Sequence, residues 1–295
     1  FAVEAMTLLT SSLVDRHKTD IRVEAAMAKM YGTEAAWHIV DETMQILGGR
    51  GYETVDSLRA RGERPIYVER AMRDARINRI FEGSTEIMHL FIAREAMDPH
   101  LKIAGEAMNA KLPWSRRLRS ALKAGLFYAL WYPKTFLPSM VATEGMEPEL
   151  AGHVRYAART SKKLARGMFH AMVKHGPRLE REQMLLARFV DIGTELFAQV
   201  ASATRAQALL KAGRDRMDVL ALVEHFCAGS RLRIEDAFRG VRRNNDRLGY
   251  RLAQSILGDS SAFLYEGIVQ KELEPELAEA EPVRERVREL ARTRA

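Results

Sequence analysis

Apolar positions along this chain recur every three or four residues over most of its length, which is the period of an α-helix. In residues 1–18, Val3, Met6, Leu9 and Leu13 share one face, with Ala2 and Ala5 beside them. Asp20 stands where it can cap a second helix, in which Val23, Met27, Met30, Tyr31, Trp37, Val40, Met44 and Leu47 keep the period. At ~1.5 Å per residue this helix would reach about 40 Å. Gly48-Gly49 then stops it, since glycine tolerates the left-handed conformation that ends helices. Residues 67–95, YVERAMRDARINRIFEGSTEIMHLFIARE, read as a helix, a break at Phe81-Glu82-Gly83 and another helix, which Ser84 can cap.

Residues 53–64 between these two regions are polar and read as a surface loop. Pro65 suits the first turn of the helix that follows, and Asp98-Pro99 reads as a fresh helical start. Arg70 and Asp74, four apart, can pair across a turn. Past residue 146, long amphipathic runs return at 154–175, 178–212 and 217–243, with a shorter one at 247–257 and another after Ser260. The expected class is all-α: a helical bundle over 1–111, a basic aromatic connector over 112–146 and a second helical bundle over 147–271. A charged tail with two prolines, 272–295, is expected to pack weakly or protrude.

Composition agrees with helix, and 47% hydrophobic residues suffice for a packed core. The net charge of +7 is spread along the chain without a nucleic-acid motif, so no nucleic-acid partner is expected. The single cysteine, Cys227, excludes an internal disulfide framework and fits a reducing compartment. Within HFCAG it reads as a packed thiol, not a nucleophile. His89 and His100 have no acid or histidine four residues on, so no metal is expected. No signal peptide is expected, and no apolar run comes near 18 residues. Opening at Phe1 inside a helical run, without an initiator methionine, the chain is expected to be a fragment.

In the connector, Arg116, Arg117, Arg119, Lys123 and Lys134 are uninterrupted by acids and interleave with Trp114, Phe127, Tyr128, Trp131, Tyr132 and Phe136. Its apolar heart is too short to span a bilayer, and Pro133 and Pro138 are expected to break it. Two readings stand: residues 113–141 lie in a membrane interface with rings inward and cations toward headgroups, or the rings pack between two domains. The pairs Lys162-Lys163 and Arg242-Arg243 read as solvated faces.

The turn Gln45-Ile46-Leu47-Gly48-Gly49-Arg50-Gly51-Tyr52, followed by ERAMRDARINRIFEGSTEI, resembles the C-terminal part of the acyl-CoA dehydrogenases. The resemblance implies an FAD-dependent oxidation of long-chain acyl-CoA to trans-2-enoyl-CoA in fatty-acid β-oxidation. It makes Glu82 the base that removes the α-proton while the β-hydrogen leaves as hydride to the flavin, and it puts Gly83 against the thioester. Gln45, Ile46, Leu47, Gly48 and Gly49 would touch the ADP part of FAD held mainly by a neighbouring subunit. Ser84, Thr85 and Glu86 would form a second flavin strip. Phe81 and Gly83 give Glu82 an apolar, tightly turned setting, in which a carboxyl pKa rises toward that of a useful base. Arg73 and Arg76 could serve packing, a carboxylate or the cofactor's phosphates.

The family also implies a homodimer, an electron-transferring flavoprotein as acceptor, and the bacterial cytoplasm or the mitochondrial matrix as location. Departures from its pattern are the long 53–64 link, Ser84 in place of Thr, and Glu86 where Gln or Asp is common. The motifs cover about 21–95. Beyond them only the layout matches, in the manner of the very-long-chain branch, which carries a C-terminal extension and associates with membranes. The family's N-terminal helical domain and middle β-domain are not visible, so this chain alone is expected neither to hold FAD tightly nor to turn over substrate. A non-catalytic helical assembly or membrane-docking module that retains the motif is the alternative.

Overall fold

The computed structural model describes residues 1–16, 20–109, 111–258 and 262–265, and among them every regular element is helical. The expected tail, 272–295, lies outside the described residues. In chain order the α-helices are α1 (Ala2–Asp15), α2 (Arg22–Leu47), α3 (Gly49–Tyr52), α4 (Val55–Ala60), α5 (Val68–Ile77), α6 (Thr85–Met108), α7 (Trp114–Lys134), α8 (Pro148–His175), α9 (Gln183–Lys211), α10 (Arg216–Arg242) and α11 (Asp246–Leu257). The chain divides into two compact units, Phe1–Arg242 and Arg243–Ala295. In the second, α11 is amphipathic in sequence, with Leu248, Leu252 and Ile256 exposed.

The organising element of the first unit is α9, which packs against α1, α6, α8 and α10. Its sequence explains the position. Ala198, Ala201, Ser202, Ala203 and Ala206 are all buried, and side chains this small let neighbouring helices approach from several sides. Apolar cover is therefore shared across the whole unit. Ala5 and Met6 of α1 meet Ala198 and Ala201 of α9, with Met27 of α2 beside them. Ala26 and Met30 of α2 join Ile92 and Ala93 of α6 with Leu185, Leu186, Phe189 and Val190 of α9. Two successive bundles were expected; the core instead crosses residues 111 and 146 without a break. Cys227 is fully buried, and burial pushes its thiol up to about 12, as suits a packed side chain.

Local expectations fail in instructive places. Residues 53–64 are not a plain loop: Thr54 caps α4 by accepting from the Ser57 N–H, and Leu58 is buried. Pro65 precedes α5 by three residues and does not open it. Pro99 starts no helix; α6 runs through it. Pro133 likewise sits inside the last turn of α7. Arg70 and Asp74 do pair, at 3.8 Å on the surface.

The middle rings of the connector turn inward, while Trp114 and Phe136 stay exposed. Tyr128, Trp131 and Tyr132 cluster with His100 of α6 and Phe169 of α8, and Tyr128 Oη lies 3.0 Å from His100 Nδ1. What α7 leaves outside is a different stripe, Leu118, Leu122, Leu126 and Leu130, at helical spacing and 43%, 67%, 68% and 61% exposed. Arg116, Arg119 and Lys123 flank it. Just past the helix, Phe136, Leu137 and Met140 are also exposed. No helix among the described residues is long and apolar enough to cross a membrane.

Candidate functional site

The helix α5 closes at Ile77, and the chain doubles back over 78–84 before Ser84 opens α6 by accepting from the Ile87 N–H at 3.4 Å. Two successive residues in that break are left-handed: Glu82, at φ +51°, and Gly83, at φ +95°. Glu82 is the one non-glycine residue with positive φ among those described. Such a conformation costs an L-residue on the order of 1–3 kcal/mol and persists only where the surroundings enforce it. At Gly83 a Cβ would come 2.6 Å from Met88 Sδ, so the turn and its neighbour both call for glycine.

The enforcement comes from α2. Lys29 Nζ donates to the carbonyl oxygens of Asn78 at 3.0 Å and Phe81 at 3.3 Å, and also to that of Gly83. One ammonium thus ties both ends of the break to the long helix. Five residues along, Glu34 Oε1 accepts from Arg79 Nε at 2.7 Å and from the Thr85 hydroxyl. The guanidinium groups of Arg76 and Arg79 lie over the Trp37 ring, 5.6 and 5.8 Å from its centre. Arg73 pairs with Glu69 at 2.7 Å, so of the readings open for the two arginines, Arg73 meets a carboxylate and Arg76 packs.

Within this chain the Glu82 carboxylate is exposed and takes no hydrogen bond or ion pair from any described residue. Phe81 beside it is 44% exposed. The tight turn expected around Glu82 is present; the apolar enclosure is not built by these residues. Glu86, also exposed, sits in the first turn of α6, where its own backbone N–H and then the Ser84 hydroxyl hold its carboxyl below the usual range.

The glycine turn is elsewhere. Gly48, at φ +60°, caps α2 and leads into the single turn of α3. Gln45, Ile46, Leu47, Gly48 and Gly49 are all exposed, Ile46 to 83%. A Cβ added at Gly48 or Gly49 would meet nothing within 4 Å, so the backbone there is open to a ligand's approach. Lys29 and Gln45 lie on one helix about 24 Å apart at ~1.5 Å per residue. The structure therefore brings Glu82, Gly83, Ser84, Thr85 and Glu86 together and keeps Gln45 through Gly49 apart from them.

A half-buried link runs from this region to the exposed Asp191 on α9. His89 of α6 donates from Nδ1 to the Thr85 carbonyl at 2.8 Å and meets Asp191 Oδ1 of α9 through Nε2 at 2.7 Å. Burial is the largest single influence on His89 and pulls its pKa down. The Asp191 carboxylate, the Thr85 carbonyl and Glu34 together outweigh it, so the net shift is upward from 6.5. A raised histidine stabilises the fold fully below its unfolded pKa and loses that contribution as pH climbs through the folded value. Asp191→Asn is accordingly expected to lower the melting temperature most below pH 6.5. The gap to wild type should narrow as pH rises further, as thermal unfolding across that range would show.

Residues 2–97 match the family model for the acyl-CoA dehydrogenase, C-terminal domain.

The chain belongs to the acyl-CoA dehydrogenase family, to its C-terminal portion.

Probable acyl-CoA dehydrogenase FadE10 of Mycobacterium tuberculosis is 43% identical over 279 residues, covering 92% of this chain and 42% of the relative. The very long-chain specific acyl-CoA dehydrogenase, mitochondrial, of Homo sapiens is 33% identical over 215 residues, 72% of this chain and 31% of that protein. Among solved structures, an acyl-CoA dehydrogenase complexed with FAD from Bacillus anthracis superposes with a TM-score of 0.52 at 27% identity, covering 78% of this chain and 35% of that one. The chain thus spans less than half the length of these relatives. An alignment of 279 residues reaches well past residue 97, into helices where the sequence motifs had run out.

Lys29 and Glu34 escaped the sequence reading, and Trp37 entered it only as one position of the apolar period. The only signal was charge, a lysine and a glutamate inside an otherwise apolar helical run, and charge alone does not tell a tether from a solvated side chain.

Proposed function

We propose that this chain is the base-bearing part of an FAD-dependent acyl-CoA dehydrogenase acting on long-chain acyl-CoA, with Glu82 taking the α-proton of the thioester. The observation that carries the reading is the break itself. A carboxylate with no other commitment stands on a left-handed turn that Lys29 holds in place, in the domain where the family match falls. A general base needs fixed position before it needs a tuned pKa, and rigid attachment to α2 supplies position. Gly83, on the same left-handed turn, is the proposed backbone contact of the thioester.

The residues present fit FAD. Gly48 and Gly49 offer an open backbone surface, and Ser84 to Glu86 open a helix whose N-terminus favours an electron-rich partner. FAD, when bound, supplies the two-electron oxidation. What this chain adds is proton removal at the Glu82 carboxylate and two contact strips, Gln45 to Gly49 and Ser84 to Glu86. Their separation along α2 fits a dimer in which the first strip serves the neighbouring subunit's cofactor. An electron-transferring flavoprotein is the proposed acceptor. In the full-length protein, Glu82→Gln tests the base: dehydrogenation should be lost while the yellow flavin is retained.

The outer stripe of α7 favours a further element of the same reading, contact with a membrane surface. Four exposed leucines flanked by cations form an interfacial helix, not a spanning one. Leu122→Asp with Leu126→Asp is expected to abolish flotation with phospholipid vesicles without changing the far-UV circular dichroism, because both side chains already face outward. Unchanged flotation would sink the idea.

A further inference from the structure

A cavity of about 410 Å³ opens among α8, α9 and α10 on the side of the unit reached by the end of α7. Its floor is apolar, with Leu185, Phe189, Phe238 and Val241. Its walls carry Lys163, Arg166, His170, Lys174, His175 and Arg242, and among the described residues no carboxylate lines it. The two sequence pairs that read as solvated faces thus each send one member, Lys163 and Arg242, to a shared concavity.

Most of these side chains are already engaged. Lys163 Nζ lies 4.0 Å from the centre of the Phe238 ring, Arg166 donates to the Thr135 carbonyl and covers Phe136 at 4.4 Å, His170 meets the Tyr132 hydroxyl at 2.9 Å, and His175 meets Glu182 at 3.3 Å. Lys174 and Arg242 have no anionic partner among the described residues. Two uncommitted cations at the mouth of an apolar-floored concavity call for an anion that also brings an apolar portion. The setting says where such a molecule would come from. Arg166 stacks on Phe136, which is 62% exposed, and Lys162 Nζ holds the carbonyls of Leu137 and Pro138, so the cavity adjoins the exposed apolar end of the α7 segment.

We propose that this cavity receives the phosphate of an anionic phospholipid headgroup, held by Lys174 and Arg242, when α7 lies on the membrane. The proposal rests on the membrane reading of α7 and adds a defined headgroup site to it. A lipid phosphate and free inorganic phosphate share the same recognition chemistry, and the two are separable by experiment.

Flotation of the full-length protein would be measured with phosphatidylcholine vesicles and with vesicles also containing phosphatidylglycerol. Three double variants enter the comparison: Lys174→Ala/Arg242→Ala, the α7 variant Leu122→Asp/Leu126→Asp, and Lys211→Ala/Arg214→Ala. The last makes the same charge change at two exposed positions, the final residue of α9 and the turn just past it. Removing Lys174 and Arg242 is expected to weaken partitioning onto phosphatidylglycerol vesicles roughly 25-fold, about 5-fold per cation, and to leave phosphatidylcholine binding unchanged. If the Lys211/Arg214 pair does the same, only net charge matters and the headgroup site is overturned. Competition by inorganic phosphate as strong as that by phosphatidylglycerol vesicles would overturn the lipid as source. Should the α7 variant keep a preference for phosphatidylglycerol that the Lys174/Arg242 variant loses, the helix reading fails and the headgroup site stands. Wild type that floats with neither vesicle overturns both.

Discussion

Glu82→Gln in the full-length protein is expected to lower the rate of acyl-CoA dehydrogenation by roughly 10²–10⁴-fold, the usual worth of a positioned general base. The amide matches the carboxylate in size, and no described residue bonds to the carboxylate, so nothing in the fold loses a partner. Flavin absorbance and melting temperature should therefore hold while turnover collapses. That separation makes the test sharp: a variant that unfolds or sheds its flavin would report on structure, whereas this one reports on proton removal. A variant that dehydrogenates at the wild-type rate would refute the role given to Glu82.

Lys29→Met is expected to be nearly as damaging by another route. The thioether fills much of the lysine's volume but cannot donate to the carbonyls of Asn78, Phe81 and Gly83. A half-buried carbonyl left without a donor costs about 1–3 kcal/mol, and the break can recover that only by moving toward water. A displacement near 1 Å at a reacting group can cost on the order of 10²-fold in rate. The fall should appear in kcat, with substrate KM and flavin content little changed. The isotope effect with α-deuterated acyl-CoA should rise as proton removal becomes limiting. Lys29→Arg should recover only part of the rate, because a planar guanidinium cannot converge on three carbonyls as a point donor does. Normal kcat and an unchanged isotope effect in Lys29→Met would show that the tether does not position Glu82.

Much of this arrangement is legible from residues alone, for identifiable reasons. Helical period finds α2, α8, α9 and α10, because each keeps its apolar spacing for more than twenty residues. Gly48 and Gly83 mark their turns because both have positive φ. Proline misleads at Pro99: a mid-helix proline costs about 3 kcal/mol, yet α6 is held on either side by packing against α7, α9 and α2, and tertiary contacts outweigh the local rule. Period also shows which face of a helix is apolar without showing what covers it. Hence two bundles were expected where α9 serves both, and the rings of α7 were candidates for lipid where its leucines are the exposed stripe. Lys29 was illegible because its partners lie 49, 52 and 54 residues away.

The position of α9 bears on how this family can vary. Met6, Met27 and Met30, on the helices that carry the tether and its support, are shielded from water by residues contributed more than 150 positions later. The later segment is thus no appendage to a finished helical domain but the lid on its hydrophobic underside. Any family member built without such a segment must shelter the same face some other way, and a second polypeptide is the simplest substitute.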